Sequence, residues 1–294
     1  GHAAFVGVLK NSENSSYREW IAGLNFGRNN WHNDGLSYEC WSGAEELVKL
    51  NHWCEAVDNH ILNAVGMWID DFDIDGLRLD AADCIERGFF KRLKAFTEQK
   101  KESFWLMGEI IHGDYNIYVN EEMLDAVTNY ECWKGIYSSH NDHNYFEINY
   151  AMKRQWGQGG LYSGKYLYNF VDNHDVNRIA TLLKEKENIF PTYTLLFTMP
   201  GIPSIYYGSE WAIEGDKTKG EGDYALRPEI DPENMSKPDL IEHIKTLAEI
   251  RTASRALQEA IYEEVQVRNE TLVFARVFAD EYVLVADRKS TRLN

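Results

Sequence analysis

Segment 73–80, with the sequence DIDGLRLD, places an arginine and an aspartate two residues apart. In a β-strand, alternate side chains share a face, so Arg78 and Asp80 would lie on the same face. A guanidinium group beside a carboxyl group favours the ionised carboxylate. An ionised carboxylate at the carboxyl end of a strand can act as a nucleophile. Taken alone, the segment fits an ordinary ion pair at a strand end equally well.

Two other apolar segments also end in acidic residues. Segment 103–109 reads SFWLMGE and ends at Glu109, and segment 168–175 reads YNFVDNHD and ends at His174 and Asp175. The apolar residues before Glu109 provide surroundings that favour a protonated carboxyl group, as general acid/base catalysis requires. Cleavage of a glycosidic bond uses this combination, because one carboxylate attacks the anomeric carbon and another carboxyl group protonates the leaving oxygen. We expect His174 and Asp175 to hold sugar hydroxyl groups.

These acidic segments alternate with segments of helical periodicity. In segment 44–72 the apolar residues recur at helical spacing, at Val57, Ile61, Val65, Trp68 and Ile69. We predict further helices in 85–96, 146–156, 176–186 and 191–199 and from Pro238, and strands in 73–80, 103–109, 124–130, 168–175 and 202–207. Alternating strands and helices predict a parallel sheet, whose functional groups collect at the carboxyl ends of its strands. Three carboxylate-bearing ends favour a closed barrel over an open sheet.

Composition narrows the class of ligand. The 294 residues carry a formal net charge of −17, which argues against nucleic acid, anionic membranes and phosphorylated ligands as partners. Nine tryptophans and seventeen tyrosines favour carbohydrate, because flat aromatic faces suit sugar rings. Trp41, in an N-terminal segment without clear periodicity, is a candidate for substrate binding, and packing of the loop is an equal alternative. No apolar run is long enough to span a membrane.

The periodicity changes near the C-terminus. Segments 264–267, 271–277 and 282–286 alternate apolar and polar residues, which predicts about two and a half strands of an antiparallel module. The basic residues 288–294, RKSTRLN, differ from what precedes them and are interpreted as an artefactual tail.

Four motifs in order resemble the α-amylase family, glycoside hydrolase family 13. They are GLRLDAA at 76–82, GEI at 108–110, FVDNHD at 170–175 and GIPSIYYGSE at 201–210. The resemblance implies that Asp80 is the nucleophile, Glu109 the general acid/base and Asp175 the stabiliser of the transition state. Arg78 and His174 would assist, and we also assign His112 to substrate binding. Because the family is retaining, we expect the Asp80 and Glu109 carboxyl groups to lie about 5 Å apart.

The resemblance implies a retaining hydrolase of α-1,4-glucosidic bonds in starch-like glucans or maltooligosaccharides. Cyclomaltodextrinase, neopullulanase and transglycosylating relatives use the same three carboxyl groups and remain alternatives. A non-catalytic fragment or scaffold is an alternative of another class.

The family's first signature, an aspartate followed by Asn-His, is missing. We therefore expect an α/β fold, a (β/α)8 TIM barrel that lacks its first three strands, followed by the start of an antiparallel β domain. The expected boundaries are 1–43 for the remnant of a loop or subdomain after the third strand, 44–258 for barrel strands four to eight, and 259–287 for the β domain. An incomplete barrel exposes strand edges, so the chain by itself is expected to have little activity.

Many α-amylases carry a calcium-binding aspartate at the position of Lys49 in the segment LVKLN, 47–51. Lysine cannot bind a hard cation, so we assign no metal ligand and leave a structural calcium ion open. The substitution is similar to the neopullulanase and cyclomaltodextrinase branch. A cytoplasmic location is expected, with secretion as the alternative.

Overall fold

A computed structural model describes residues 2–220 and 222–288. The chain forms two compact units. The first unit ends at Gly108 and also includes Asn120–Leu124, and the second consists of Glu109–Val119 and the residues from Asp125 onward. The domain boundaries expected from the sequence stay predictions. In the described ranges, no helix combines the length and apolar character needed to cross a membrane.

The first unit alternates helices with short strands. Its elements in chain order are α1 (Ala3–Asn11), β1 (Cys40–Trp41), β2 (Ala44–Val48), α2 (Glu55–Phe72), β3 (Gly76–Leu79), α3 (Arg87–Lys100) and β4 (Trp105–Gly108). Helix α1 was not predicted, because only Ala4 and Val8 are buried along its length. It packs through Val8 into a cluster with Ile21 and Leu36.

The predicted helix of segment 44–72 is wrong in its first part. Residues Ala44–Val48 form β2, which pairs antiparallel with β1, and the helix begins only at Glu55. Positive φ angles at Ser42 and Gly43 make the turn between the two strands. The later periodicity is confirmed at Val57, which is buried together with Val65 and Ile69. Trp68 differs from the prediction, since it is 39 % exposed.

Strands β3 and β4 are parallel, as predicted, with Gly76 opposite Trp105 and Leu79 opposite Gly108. Helix α2 ends where Asp73 adopts a left-handed conformation, which turns the chain into β3. Helix α3 packs on α2, where Gly66 leaves room for the ring of Phe96. The packed helices thus support a strand pair whose carboxyl ends lie at Asp80 and Glu109 in the sequence.

The second unit has the same alternation and then changes to antiparallel strands. Its elements are β5 (Ala126–Val127), α4 (Tyr130–Asn141), α5 (Phe146–Trp156), β6 (Tyr168–Phe170), α6 (Ile179–Leu182), α7 (Ile189–Thr198), β7 (Ile202–Ser204), α8 (Pro238–Ala253), α9 (Arg255–Glu259), β8 (Glu263–Arg268), β9 (Thr271–Phe278) and β10 (Glu281–Arg288). Strands β6 and β7 are parallel, and Thr128, just after β5, forms a parallel bridge with Tyr168. Neighbouring strands therefore follow the order of the chain, as in a barrel wall.

A buried amide network fixes the ends of these strands. Asn129 donates to Gln155 Oε1 at 2.9 Å and to Asn169 Oδ1 at 2.8 Å. Asn169 in turn donates to the carbonyl oxygen of Pro200 at 2.7 Å, just before β7. All three amide side chains are buried, so each hydrogen bond is needed to offset the loss of water. The network ties the β5 end, α5, β6 and the approach to β7 into one rigid frame.

The C-terminal antiparallel sheet has the order β10-β9-β8 and contains three complete strands, more than the two and a half predicted. Arg288 belongs to β10 and pairs with Thr271, so it is not part of a separate tail. The rest of the predicted tail, 289–294, lies outside the described residues. The buried side chain of Arg276 in β9 donates to the carbonyl oxygens of Thr198 and Ala260, which joins the sheet to the end of α7.

Candidate active site

In the first unit, Arg78 and Asp80 lie together at the carboxyl end of β3. Arg78 Nη1 donates to Asp80 Oδ1 at 2.5 Å, so strand alternation brought them to one face as predicted. The Asp80 side chain is 78 % exposed, whereas that of Arg78 is 33 % exposed. A carboxylate that is accessible and held by one cation has the properties of an attacking group.

Asp80 lines a cavity of about 850 Å³ in the first unit. Trp41, the predicted substrate-binding residue, lines the same cavity, together with His52 and Trp53. The cavity therefore brings together Asp80 and Trp41, two of the candidate residues. The volume lies within the range of about 300–1,000 Å³ that is typical of small-molecule sites.

His52 is held rigidly at this cavity, although the sequence suggested no role for it. Its Nδ1 lies 2.7 Å from Asp58 Oδ1, and its ring packs at a tilt against that of Phe89, with the ring centroids 4.4 Å apart. Arg92 Nε donates to the other Asp58 oxygen at 2.6 Å. Asp58 is buried, so the imidazole and the guanidinium together compensate for its lost hydration. No sequence signal links these residues, because Asp58 and Arg92 are 34 positions apart.

Glu109 lies in the second unit and is buried, with 8 % of its surface exposed. The backbone that follows it is fixed by Thr128, whose hydroxyl group accepts from Ile110 N and donates to Ile110 O, both at 2.9 Å. Tyr130 donates from its hydroxyl group to Glu109 Oε1 over 3.5 Å. A buried carboxyl group with a positioned hydroxyl neighbour is well placed for proton transfer.

The same Tyr130 hydroxyl group connects Glu109 to the segment that carries Asp175. Asn173 donates to Tyr130 Oη at 2.9 Å, and Asn173 Oδ1 accepts from Asp175 N at 2.8 Å. The two acidic segments of the second unit are therefore joined through one tyrosine. The sequence contained Tyr130 and Asn173 near the predicted strand ends but gave no sign of this connection.

Two cationic or ionisable side chains surround the Asp175 carboxylate. Arg227 Nη2 donates to Asp175 Oδ1 at 3.1 Å, and His174 Nε2 lies 3.0 Å from Asp175 Oδ2. Arg227 Nε also donates to the backbone carbonyl of His174, at 3.3 Å. Arg227 was missed at the sequence level, because it lies in a polar loop 52 residues from Asp175. His112, the remaining predicted substrate-binding residue, lies exposed in the same unit.

A buried cluster anchors the segment that begins at Asp172. Asp172 accepts hydrogen bonds from Ile179 N at 2.8 Å and from the Ser209 hydroxyl group at 2.8 Å. Arg178 is also buried and donates to the carbonyl oxygens of Tyr207 and Leu226. Burial raises the pKa of Asp172 to about 6, and the hydrogen bonds and Arg178 oppose that rise. The cluster holds the residues before and after His174 and Asp175.

The described residues do not fit a calcium site at the position implied by the family. Lys49 places an ammonium group at that position, and its Nζ lies 3.2 Å from Glu39 Oε2. In 2–220 and 222–288, no group of three or more histidine, cysteine, aspartate or glutamate side chains is arranged to hold a metal ion.

Residues 9–255 match the family described as alpha amylase, catalytic domain. The chain belongs to the alpha-amylase family. Among curated relatives it is similar to a cyclomaltodextrinase from a Bacillus species, with 25 % identity over 94 % of this chain and 49 % of the relative. It is also similar to the intracellular maltogenic amylase of Bacillus subtilis, with 24 % identity over 95 % of this chain and 46 % of the relative. The chain thus spans about half the length of these curated relatives.

Solved structures show the same alpha-amylase fold. A cyclic α-maltosyl-(1→6)-maltose hydrolase from Arthrobacter globiformis matches with a TM-score of 0.81 and 24 % identity, over 98 % of this chain and 64 % of that protein. A cyclomaltodextrinase matches with a TM-score of 0.81 and 25 % identity, over 96 % of this chain and 48 % of that protein. The predicted fold class, part of a (β/α)8 barrel followed by an antiparallel sheet, is confirmed.

Proposed function

We propose that this chain carries the catalytic groups of a retaining glycoside hydrolase that cleaves α-1,4-glucosidic bonds in maltooligosaccharides or starch-like glucans. The observation that carries the proposal is the link in the second unit from Glu109 through Tyr130 to Asn173 and the Asp175 backbone. This link holds a buried carboxyl group and a second acidic segment in position through one hydroxyl group. Carboxylates without a catalytic role would not need to be positioned in this way.

In this proposal Asp80 is the nucleophile. Its carboxylate attacks the anomeric carbon while Glu109 gives its proton to the leaving glycosidic oxygen, which leaves a glycosyl-aspartate and an ionised Glu109. Glu109 then removes a proton from water, and the water oxygen displaces Asp80 from the anomeric carbon. The expected separation of about 5 Å between the two carboxyl groups stays a prediction.

Asp175 has the role of stabiliser in this scheme. An oxocarbenium-like transition state gains positive charge at the sugar ring, and an ionised carboxylate lowers its energy more than it lowers that of the neutral substrate. Arg227 and His174 hold the two Asp175 oxygens, which supports a fixed orientation of that carboxylate. Arg78, Trp41 and His112 are assigned to substrate binding.

Cyclic substrates are the second candidate. Relatives of this chain are named cyclomaltodextrinase, and one structural neighbour is a hydrolase of cyclic α-maltosyl-(1→6)-maltose. These names favour cyclomaltodextrins as substrates, which the same three carboxyl groups would cleave. A cytoplasmic location is proposed as well, supported by the intracellular maltogenic amylase among the relatives.

The test compares maltoheptaose, soluble starch, β-cyclodextrin and pullulan as substrates. The protein used for these assays is called the hydrolysing form. It is the shortest protein that contains residues 1–294 and releases reducing sugar from at least one of the four substrates. In that form, Asp80→Asn keeps the side-chain volume but removes the nucleophile, so turnover should fall at least about a thousandfold with the fold retained. Absence of hydrolysis in every form, or near-normal turnover by Asp80→Asn, would contradict the proposal.

A further inference from the structure

In the second unit, Asn177 joins the segment that carries Asp175 to the loop that follows β7. Its side-chain nitrogen donates to Asp216 Oδ1 at 3.1 Å, and its side-chain oxygen accepts from Lys217 N at 3.0 Å. Both polar atoms of one amide group therefore bind residues that are 39 and 40 positions further along the chain. The sequence analysis gave Asn177 no role, because this residue lies outside the four motifs.

Asp216 is also fixed within its own loop. Thr218 donates to Asp216 Oδ1 twice, from its backbone N at 3.0 Å and from its hydroxyl group at 2.7 Å. These hydrogen bonds lower the pKa of Asp216 to about 2, with smaller contributions from Asn177 and from Lys219, whose Nζ lies 3.5 Å from Asp216 Oδ2. Above about pH 4 the carboxylate is therefore ionised and only accepts hydrogen bonds.

Backbone contacts beside Asn177 hold the same two segments together. Arg178 N donates to Gly215 O at 3.1 Å, and Gly215 N donates to the hydroxyl oxygen of Thr181 at 2.8 Å. A Cβ atom at Gly215 would lie 2.4 Å from the carbonyl oxygen of Ala225, so the backbone at 215 packs directly on the stretch that leads to Arg227. The position of Gly215 and Asp216 thus affects the position of Arg227 as well.

This loop carries two cations that reach Asp175. Lys217 Nζ donates to the Asp175 carbonyl oxygen at 2.7 Å, and Arg227 Nη2 donates to the Asp175 carboxylate at 3.1 Å. Charge-assisted hydrogen bonds depend on distance and angle, so a displaced loop would weaken both contacts. The backbone and the carboxylate of Asp175 therefore depend on where this loop lies.

We propose that Asn177 is a positioning residue, whose bonds to Asp216 and Lys217 hold the loop after β7 in place and thereby orient Asp175 for the reaction. This inference rests on the proposed function. It adds Asn177 and Asp216 to that function as residues that act through Asp175 without contacting the sugar. A misplacement of about 1 Å can cost up to about a hundredfold in rate. Because Asp175 acts on the transition state, loss of these bonds should change kcat more than KM.

The test reverses the polarity of the pair formed by residues 177 and 216. Asn177→Asp places a second carboxylate against that of Asp216, and the two like charges repel each other. When Asp216→Asn is added to Asn177→Asp, the new amide group can donate to the new carboxylate, and Lys217 N keeps its acceptor. The double variant should therefore restore the connection that the single variant breaks.

Limited proteolysis tests the connection itself in the 294-residue chain. Trypsin cleavage after Lys217 and Lys219, followed by mass spectrometry, should be at least about fivefold faster in Asn177→Asp, because the loop opens more often. The double variant should return close to the rate of the unmodified chain. Asn269→Asp is the matched control. It adds the same charge at an exposed position between β8 and β9 of the same unit and should leave both cleavage rates unchanged.

Kinetics in the hydrolysing form test the positioning role. Asn177→Asp should lower kcat for maltotriose about fivefold and change KM by less than about twofold, and the double variant should recover at least about half of the original kcat. The ratio of original to Asn177→Asp kcat should shrink as pH falls from 7 to 4, because protonation of one of the two facing carboxylates removes their repulsion. General destabilisation would not produce this split, this pH dependence or this rescue.

Three results would overturn the inference. They are unchanged cleavage and kcat in Asn177→Asp, a double variant no better than the single one, and equal effects of Asn177→Asp and Asn269→Asp. Hydrolysis that depends on Asp80 but not on Asn177 would overturn this inference alone. Absence of hydrolysis in every form would overturn the proposed function together with it.

Discussion

At the residue scale, the Tyr130 hydroxyl group explains why the second unit holds two acidic segments in a fixed relation. It donates to Glu109 and accepts from Asn173, and the Asn173 side chain in turn holds the Asp175 backbone. The consequence is that Glu109 and the Asp175 backbone are connected through the hydrogen bonds of Tyr130 and Asn173. Two substitutions test the separate roles of the two carboxyl groups.

Glu109→Gln removes the proposed proton donor while keeping the volume of a buried side chain. Turnover of maltotriose in the hydrolysing form should fall about 10²–10⁴-fold, the usual contribution of general acid/base catalysis. The loss should be much smaller with α-maltosyl fluoride, because fluoride leaves without protonation. Steady-state rates with both substrates provide the measurement. An equal loss with the two substrates would argue that Glu109 does not act as the acid.

Arg227→Met tests whether the cation holds the Asp175 carboxylate for catalysis. We expect kcat for maltotriose to fall about tenfold, because Asp175 loses a charge-assisted hydrogen bond that fixes its orientation. The melting temperature should change little, since exposed ion pairs contribute only about 0–1 kcal/mol to stability. Arg227→Lys should restore part of the activity.

Lys217→Met is the control for this prediction. Lys217 donates to the Asp175 backbone carbonyl at 2.7 Å and does not orient the carboxylate. Its removal should therefore affect kcat less than Arg227→Met does. Equal effects of the two variants would show that the loop as a whole, and not the carboxylate orientation, limits the reaction.

At the scale of elements, the parallel pair of β3 and β4 depends on close approach of two backbones at Gly76. A Cβ atom at this position would lie 2.4 Å from the carbonyl oxygen of Trp105. Neither the strand nor the carbonyl can move away without breaking the ladder. The glycine is therefore a packing requirement of the strand that leads to Asp80.

Gly76→Ala should consequently lower the free energy of unfolding by about 1–3 kcal/mol. Urea denaturation followed by tryptophan fluorescence would measure the change. Gly27→Ala in the same unit is the control, because the nearest atom to its new Cβ is a side-chain oxygen at 3.2 Å that can shift. A Gly76→Ala variant as stable as the control would mean that β3 and β4 are less tightly coupled than the structure indicates.

Asp172, which anchors the segment before His174 and Asp175, contributes to the free energy of unfolding in a pH-dependent way. The sign of this dependence follows from the burial of its carboxyl group. Its pKa is raised from 3.8 to about 6, and Arg178 and Glu210 are the charged groups that act on it. Well below pH 3.8 the carboxyl group is protonated in both the folded and the unfolded state. As pH rises from about 4 to 6 the unfolded chain ionises first, so the contribution of Asp172 to stability is lost over this window.

The free energy of unfolding, measured against Asp172→Asn between pH 4 and 7, should reveal this loss. The difference, native protein minus variant, should fall by up to about 3 kcal/mol between pH 4 and 6 and stay constant above about pH 6.5. The variant removes the titrating group but keeps the side-chain volume. A difference that rises with pH would contradict the burial argument and indicate that the hydrogen bonds and Arg178 dominate.

In the second unit as a whole, two buried arginines join the antiparallel sheet and helix α8 to the end of helix α7. Arg276 donates to Thr198 O at 2.7 Å and to Ala260 O at 2.6 Å. Arg251 donates to Phe197 O at 2.8 Å and also to Gly201 O. Burial lowers the pKa of Arg276 to about 9, with Arg251 as a second cause, so both remain charged at neutral pH.

Arg276→Leu should destabilise this unit by about 3 kcal/mol, because two buried carbonyl oxygens lose their donors. Hydrogen exchange of β9 amides and thermal unfolding would measure the effect. Arg268→Leu, on the exposed side of β8, is the control and should change the unfolding free energy by less than about 0.5 kcal/mol. Equal stability of the two variants would show that the sheet does not need this connection.

Much of the fold was accessible from sequence because it depends on local patterns. Helix α5 was predicted with the same bounds that it has, and Pro238 opens α8 as expected, since both signals lie within the element itself. The hairpin of β1 and β2 was missed because β1 has only two residues, which carry no measurable period, and β2 was included in the predicted helix of segment 44–72. Helix α4 was also missed, although its N-cap is Asn129, a residue type that is typical of helix starts.

For the site, the order of residues along the chain is enough to show which side chains follow the strands, because alternation and strand ends are local properties. That was enough to name Asp80, Glu109 and Asp175 and to pair Asp80 with Arg78. The contacts of Tyr130 with Glu109 and Asn173, and of Arg227 with Asp175, are visible in the folded chain alone, because they join residues 21, 43 and 52 positions apart. Such contacts depend on how helices, strands and loops pack against each other. The hydrophobic periodicity of one element does not show which distant element packs against it.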